Sequence, residues 1–290
     1  MSGTINPRID IAFKKIFGTE SNKDLLISLI NSIVGKEDQV VGVTLLNPYN
    51  QKNFKGDKLS ILDIKAEGSN GKKFNIEIQI TDEADYDKRA LYYWAKLYTD
   101  QIKESEGFTK LEKVIGIHIL NFISILESQK YHNAFHVTEK ETGLHSFKEL
   151  ELHTIELKKF TDRLKEFENI GSKIKTALDL WTAFLTRNDL LSTAKLPQFL
   201  NDVPVKKAIE VLNVMNFTVE ERETYENRLK FLRIEASGLK KARQEGHQEG
   251  FKEGQLKSAC NMLKRNYPIE EIIENTGLTE EEVKNLKGSI

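Results

Sequence analysis

A single cysteine, Cys260, stands in the 290 residues. That excludes an internal disulfide framework and any zinc centre built on cysteine, and it predicts folding in a reducing compartment with Cys260 as a small core residue. Proline is scarce too, at 5 residues, against 39% hydrophobic and 30% charged residues. This is the composition of a globular chain and not of a disordered or fibrous one. No long hydrophobic run exists: the longest, Ile115 to Leu126, is interrupted by His118 and Asn121 and falls short of the roughly 20 residues a membrane-spanning helix needs. It reads as a buried strand, with no membrane partner. The opening MSGTINPRIDIAFKKIFG lacks the basic and apolar regions of a secretory signal, so a cytoplasmic location is expected. Neither charge dominates, with 43 Lys+Arg against 44 Asp+Glu. No global field draws in nucleic acid, and DNA binding must rest on a local basic surface. The 6 histidines show no metal-ligand spacing.

What is present is a change of hydrophobic period along the chain. Ile11, Phe13, Ile16 and Phe17, then Leu25, Leu26, Leu29, Ile30 and Ile33, predict two helical pieces before Gly35. Between Val40 and Ile80 the runs VVGVTLL, LSILDIKAE and KKFNIEIQI, separated by turn signals, predict three consecutive strands. A helix is expected from about Ala84 to Ser105, with Leu91, Ala95, Tyr98 and Ile102 on its core face, followed by a strand from Lys113 to Phe122. The order αβββαβ emerges. NAFHVTEK and LHTIELKKF are further strand candidates. Residues 161–234 read mainly as a helical support region anchored by Trp181, Phe184, Leu190 and Leu191.

Residues 235–258 form a linker helix in which Gly246, Gly250 and Gly254 recur every four residues. Close helix approach and a solvated connector are both compatible with that spacing. Residues 259–290 read as a small helical element, with Pro268 at a helix start and a capping box from Thr279 to Glu282. From Pro268 onward six glutamates face two lysines, a poor match to phosphate. Homo-oligomerisation through these C-terminal helices is expected instead.

The chemistry concentrates in one hairpin. In FNIEIQI, Phe74, Ile76 and Ile78 alternate with Asn75, Glu77 and Gln79, so Glu77 and Gln79 share a face. In the preceding strand Asp63 and Lys65 share a face. A two-residue turn at Ser69-Asn70 places Asp63 opposite Ile76. A three-residue turn, Ser69-Asn70-Gly71, with glycine in the left-handed position, pairs Gly68 with Lys72 and sets Asp63 opposite Glu77. Carboxylates so paired are close enough to share a hard divalent cation, which polarises a phosphodiester and lowers the pKa of a bound water. The competing reading is a solvated hairpin face whose acids pair with Lys65, Lys72 or Lys73.

The segments IDIAFKKIFG, LDIKAEGSNGKKFNIEIQI, KRALYYWAKLYTDQI, LEKVIGIHILNF, HTIELKKF and the Glu-Gly tail ending in TGLTEEEV together resemble the Rpn family of recombination-promoting nucleases and transposases, within the PD-(D/E)xK nuclease superfamily. The resemblance implies an α/β fold: a restriction-endonuclease-like αβββαβ core with a mixed sheet over residues 1–160, followed by a helical region and a helical C-terminal tail. It implies a magnesium-dependent DNA endonuclease, with Mn2+ as a substitute ion, acting in recombination or on mobile or foreign DNA. Asp63 takes the motif's aspartate, Glu77 its second acid, and Gln79 the position usually held by lysine. The Ile78 carbonyl joins Asp63 and Glu77 at the metal. Glutamine can orient water or hold a phosphate oxygen but supplies no positive charge, and Lys65 is the candidate substitute cation. Loss of that charge leaves open a catalytically inactive, nuclease-fold DNA-binding or assembly protein.

Asp10 reads either as a third acid or as the N-cap of a helix beginning at Ile11. On the helix after the hairpin, Lys88, Arg89, Tyr92, Tyr93 and Lys96 lie off the expected core stripe. Arg89, Tyr93 and Lys96 are the candidate contacts to a DNA backbone.

Overall fold

A computed structural model describes residues 5–46, 63–83, 85–163, 174–186, 202–213 and 217–287. The chain forms two compact units, Met1–Tyr225 and Glu226–Ile290. The first begins with helices α1 (Asp10–Phe17) and α2 (Lys23–Ile33). In α1, Ala12, Phe13, Ile16 and Phe17 fall on one face at helical spacing and are buried. The Phe17 ring meets Trp181 of α5 (Ala177–Thr186) edge-on at 5.2 Å. Asp10 is the first residue of the helix, and Ile9, buried and extended, holds the N-cap position without any side-chain cap bond. The expected Asp10 cap is therefore corrected: the chain turns helical one residue earlier, at the point where Ile9 enters the core.

Six strands form one mixed sheet: β1 (Val43–Leu45), β2 (Ile64–Gly68), β3 (Lys73–Gln79), β4 (Val114–Leu120), β5 (His132–His136) and β6 (Leu150–Glu156), in the order β1-β2-β3-β4-β6-β5. The first three pair antiparallel, β3, β4 and β6 run parallel, and β5 closes the far edge antiparallel to β6. A parallel neighbour needs a crossover, supplied between β3 and β4 by α3 (Tyr86–Thr99). β4 is buried along its whole length, as the apolar run predicts for a central strand covered on both faces. The expected α/β class, with a mixed sheet and C-terminal helices, is what is found.

Two sequence expectations change in detail. The face of α3 that packs on the sheet is marked by buried Ala90 and Leu97, while Leu91 is 49% exposed. Aromatic and aliphatic side chains spread over more than one face of this helix, so periodicity alone did not fix its rotation. The strand expected over LHTIELKKF ends at Glu156, and α4 (Leu157–Arg163) follows. Buried Glu156 is met by Lys159 three residues on, at 2.9 Å, a spacing that belongs to a helical turn. The residues 59–62 that begin the second expected strand, and the anchors Leu190 and Leu191, lie outside the described residues. Trp181 and Phe184 are buried as expected.

Helix α6 (Val203–Val211) precedes α7 (Val219–Lys264), one continuous helix of 46 residues. Among the described residues a Cβ at Gly246, Gly250 or Gly254 meets nothing within 4 Å, so no close helix approach is seen along this stripe there. In the second unit the end of α7 packs with α8 (Ile269–Thr276) and α9 (Glu280–Lys287) around Ala259, Ile272, Leu278 and Val283. Cys260 is half-buried beside this core and not within it. The capping box forms: the Thr279 N–H donates to Glu282 Oε2 at 2.8 Å, and the Glu282 N–H donates to Thr279 Oγ at 3.3 Å.

Candidate active site

The hairpin register decides which side chains meet. Gly71 adopts φ +83°, its N–H bonds the Gly68 carbonyl at 2.9 Å, and the Gly68 N–H bonds the Lys72 carbonyl at 2.9 Å. This is the three-residue turn with glycine in the left-handed position. The ladder runs Glu67↔Lys73, Ala66↔Phe74, Lys65↔Asn75 and Ile64↔Ile76, which brings Asp63, just before β2, to Glu77. The Ile78 N–H donates to Asp63 Oδ2 at 2.9 Å, and the Asp63 N–H donates to Glu77 Oε1 at 3.3 Å. The two acids are thus tied across the strands through backbone as well as by register.

The same geometry orients a carbonyl. In an extended strand the N–H and C=O of one residue leave on the same side and those of the next residue on the other. The Gln79 carbonyl accepts from Asn121 on the β4 side at 2.9 Å, whereas the Ile78 N–H points toward Asp63. The Ile78 carbonyl therefore also faces the Asp63 side, beyond the end of β2.

Electrostatics at the pair are those of crowded anions. Burial pushes the Asp63 carboxyl above its ordinary range, opposed by the Ile78 N–H and by Lys14 and reinforced by Asp10. Glu77 is pushed up to about 8, first by burial and then by the charge of Asp63. The neighbouring cation is Lys14, whose Nζ lies 3.3 Å from Asp63 Oδ1. Lys72 instead pairs with Asp38 at 2.6 Å, and Lys73 with Glu67 at 2.5 Å. The solvated-face reading, in which hairpin lysines neutralise these acids, is corrected for both. Lys72 leaves toward Asp38, and Lys73, although on the face of Glu77, is taken up by Glu67 at the other end of the strand.

Lys65 shares the face of Asp63 and Glu77, but the charges acting on it are those of Asp100 and Lys73. It lines a cleft of about 450 Å3 together with Lys73, Asp100 and Lys110, and burial lowers its pKa. Asp10 acts on Asp63 through space. Among the described residues no group of three or more His, Cys, Asp or Glu converges to hold a metal. A hard cation at the Asp63–Glu77 pair would complete its shell with backbone or amide oxygen and water, the habit of Mg2+.

On the far side of Glu77, Gln79 Nε2 donates to the Thr81 carbonyl at 3.1 Å and to Glu83 Oε1 at 2.9 Å, while Glu83 Oε2 receives Arg89 Nη1 at 2.5 Å. The Arg89 charge lowers the pKa of Glu77 and that of Tyr93. Tyr93 is itself raised by burial and then by Glu77. Lys96 lies 3.9 Å from Asp100 with a nearly buried side chain, which the off-stripe reading did not anticipate. His118 stands beside Glu77 on β4; burial, Arg89 and His153 hold it down at about 4, so it is neutral.

The structure thus brings Asp63, Glu77 and the Ile78 peptide together, sets Gln79 and Arg89 on one flank, and places Lys65 and Lys96 by Asp100. Lys14 and Glu83 were missed from sequence. Lys14 follows Asp10 by four residues on α1, a spacing that puts both on one helix face, and that was the available signal. Among sequence families, the model for the PD-(D/E)XK nuclease family transposase matches residues 7–242. Neither the curated proteins nor the solved structures compared contain a significant match.

Proposed function

Since the chain belongs to the PD-(D/E)XK nuclease family transposases, we propose that it is a divalent-metal-dependent endonuclease that hydrolyses DNA phosphodiester bonds at the Asp63–Glu77 pair. The carrying observation is the reciprocal bonding of Asp63 to Ile78 and Glu77, which holds two half-buried carboxylates together at a raised pKa. Nucleases of this class usually use divalent metals, and the donors here, two carboxylates and a carbonyl, are the hard oxygens Mg2+ or Mn2+ prefers. When bound, the ion supplies Lewis-acid polarisation of the phosphate and a water of lowered pKa.

The chain's own residues divide the rest. Asp63, Glu77 and the Ile78 carbonyl hold the ion. Lys14 offsets excess negative charge at the pair, the duty a lysine at position 79 would otherwise carry. Arg89 and Tyr93 stand where a DNA backbone passes the pair, with Lys65 and Lys96 farther along the same helix and sheet. Self-association is assigned to the C-terminal helices, and the biological setting to recombination or to mobile or foreign DNA.

The test is conversion of supercoiled plasmid by purified protein with and without Mg2+, alongside Asp63→Ala. Cleavage that requires both the ion and Asp63 is expected; equal cleavage by the variant would sink the assignment. Gln79 favours one second reading, a nuclease-fold protein that binds DNA without cutting it. Plasmid binding with no metal-dependent cleavage by wild type would favour that reading.

A further inference from the structure

Glutamine at position 79 is usually ambiguous, because its amide can offer a site either a donor or an acceptor. Here the ambiguity is removed by its partners. The Thr81 carbonyl and the Glu83 carboxylate are both acceptors only, and both meet the same terminal atom, at 3.1 and 2.9 Å. That atom must be the NH2. The amide oxygen leaves the same carbon in another direction, away from Thr81 and Glu83, from a side chain that shares its strand face with Glu77.

Glu83 is itself held: its second oxygen accepts from Arg89 Nη1, near the start of α3. The carboxylate is thereby clamped between an amide and a guanidinium, and its orientation is passed to Gln79. Two acids and one carbonyl make an incomplete shell, and no third acid converges on the pair among the described residues. A further neutral oxygen on the Glu77 face answers that shortage without adding charge to a pair already crowded with it.

We infer that Glu83 is a positioning residue that fixes Gln79 with its amide oxygen toward the acid pair, so that Gln79 serves the bound cation or its water as an oxygen acceptor and not as a substitute for lysine's charge. This rests on the reading of Asp63 and Glu77 as a divalent-metal site. Losing a group that orients a ligand in this way typically weakens metal binding about 10- to 100-fold.

The experiment is calorimetric titration of the full-length protein with Mg2+, comparing wild type, Glu83→Ala and Glu83→Gln, with thermal melts to show that each is folded. Glu83→Ala removes the acceptor, and its affinity is expected to fall about tenfold or more. Glu83→Gln still offers Nε2 an amide oxygen, and its affinity is expected to stay within a few-fold of wild type. If Glu83→Ala binds like wild type, or if Glu83→Gln loses as much as Glu83→Ala, orientation of Gln79 by Glu83 is overturned. If wild type itself binds no Mg2+ or Mn2+, the metal site falls and this inference with it.

Discussion

Lys14 occupies the place where a cation is wanted, 3.3 Å from Asp63, and its two effects on metal chemistry oppose each other. It competes for Asp63 Oδ1, yet it also relieves repulsion between the carboxylates. Lys14→Met should therefore bind Mg2+ several-fold more tightly by calorimetry while cutting plasmid more slowly. Unchanged affinity would mean that the lysine stands clear of the ion. A different residue, His132, carries a pH prediction for stability. Burial first, then His153 and Lys130, hold His132 down at about 4, with Glu151 opposing; His118 is likewise at about 4, whereas a free histidine titrates near 6.5. Both are neutral in the fold and take up protons on unfolding, so the stability they contribute is full above about pH 6.5 and is lost as pH falls toward 4. Chemical denaturation across that window should show a shallower decline in His132→Gln than in wild type. Parallel profiles would refute the assignment.

The β2–β3 hairpin is the element on which the site depends, and its turn is the part the sequence stated most clearly. Ser69-Asn70-Gly71 offers glycine where φ must be +83°, and with that turn chosen the register follows residue by residue to Asp63 and Glu77. Gly71→Val should cost about 1–2 kcal/mol through the left-handed backbone, and Gly71→Asn less. Urea unfolding of the two variants checks the order, and equal stabilities would contradict it. α3 was harder to read. Tyr86, Ala90, Leu91, Tyr92, Tyr93, Trp94 and Leu97 spread apolar surface well beyond one stripe, so the rotation that buries Ala90 and exposes Leu91 is settled by contact with the sheet. Glu83 was invisible for a related reason. It lies between β3 and α3, and its bonds to Gln79 and Arg89 depend on how the chain turns there. Lys14 reaches Asp63 from another element altogether, and its four-residue spacing from Asp10 marks a shared helix face without naming the partner.

The whole chain divides its work between two cores. The sheet unit carries every proposed catalytic group, while the end of α7 with α8 and α9 forms a separate small core around Ala259, Ile272, Leu278 and Val283. Val283→Asp should therefore abolish hydrogen-exchange protection over residues 256–287 and leave protection of β3 and β4 as in wild type, because a charge buried without a partner is costly only to the core that contains it. Loss of protection in both would show that the cores are not independent. The near-zero net charge of the molecule gave no hint of a nucleic-acid partner, and the exposed glycine stripe of α7 gave none of its own neighbours. The proposed chemistry concentrates where the chain sets two acids beside the Ile78 peptide. The most direct measurement there is anomalous scattering from crystals soaked in Mn2+. The account predicts one peak about 2 Å from oxygens of Asp63 and Glu77 and from the Ile78 carbonyl, with Lys14 displaced from Asp63; a pair that stays empty with Lys14 still in contact, or a peak elsewhere alone, would contradict it.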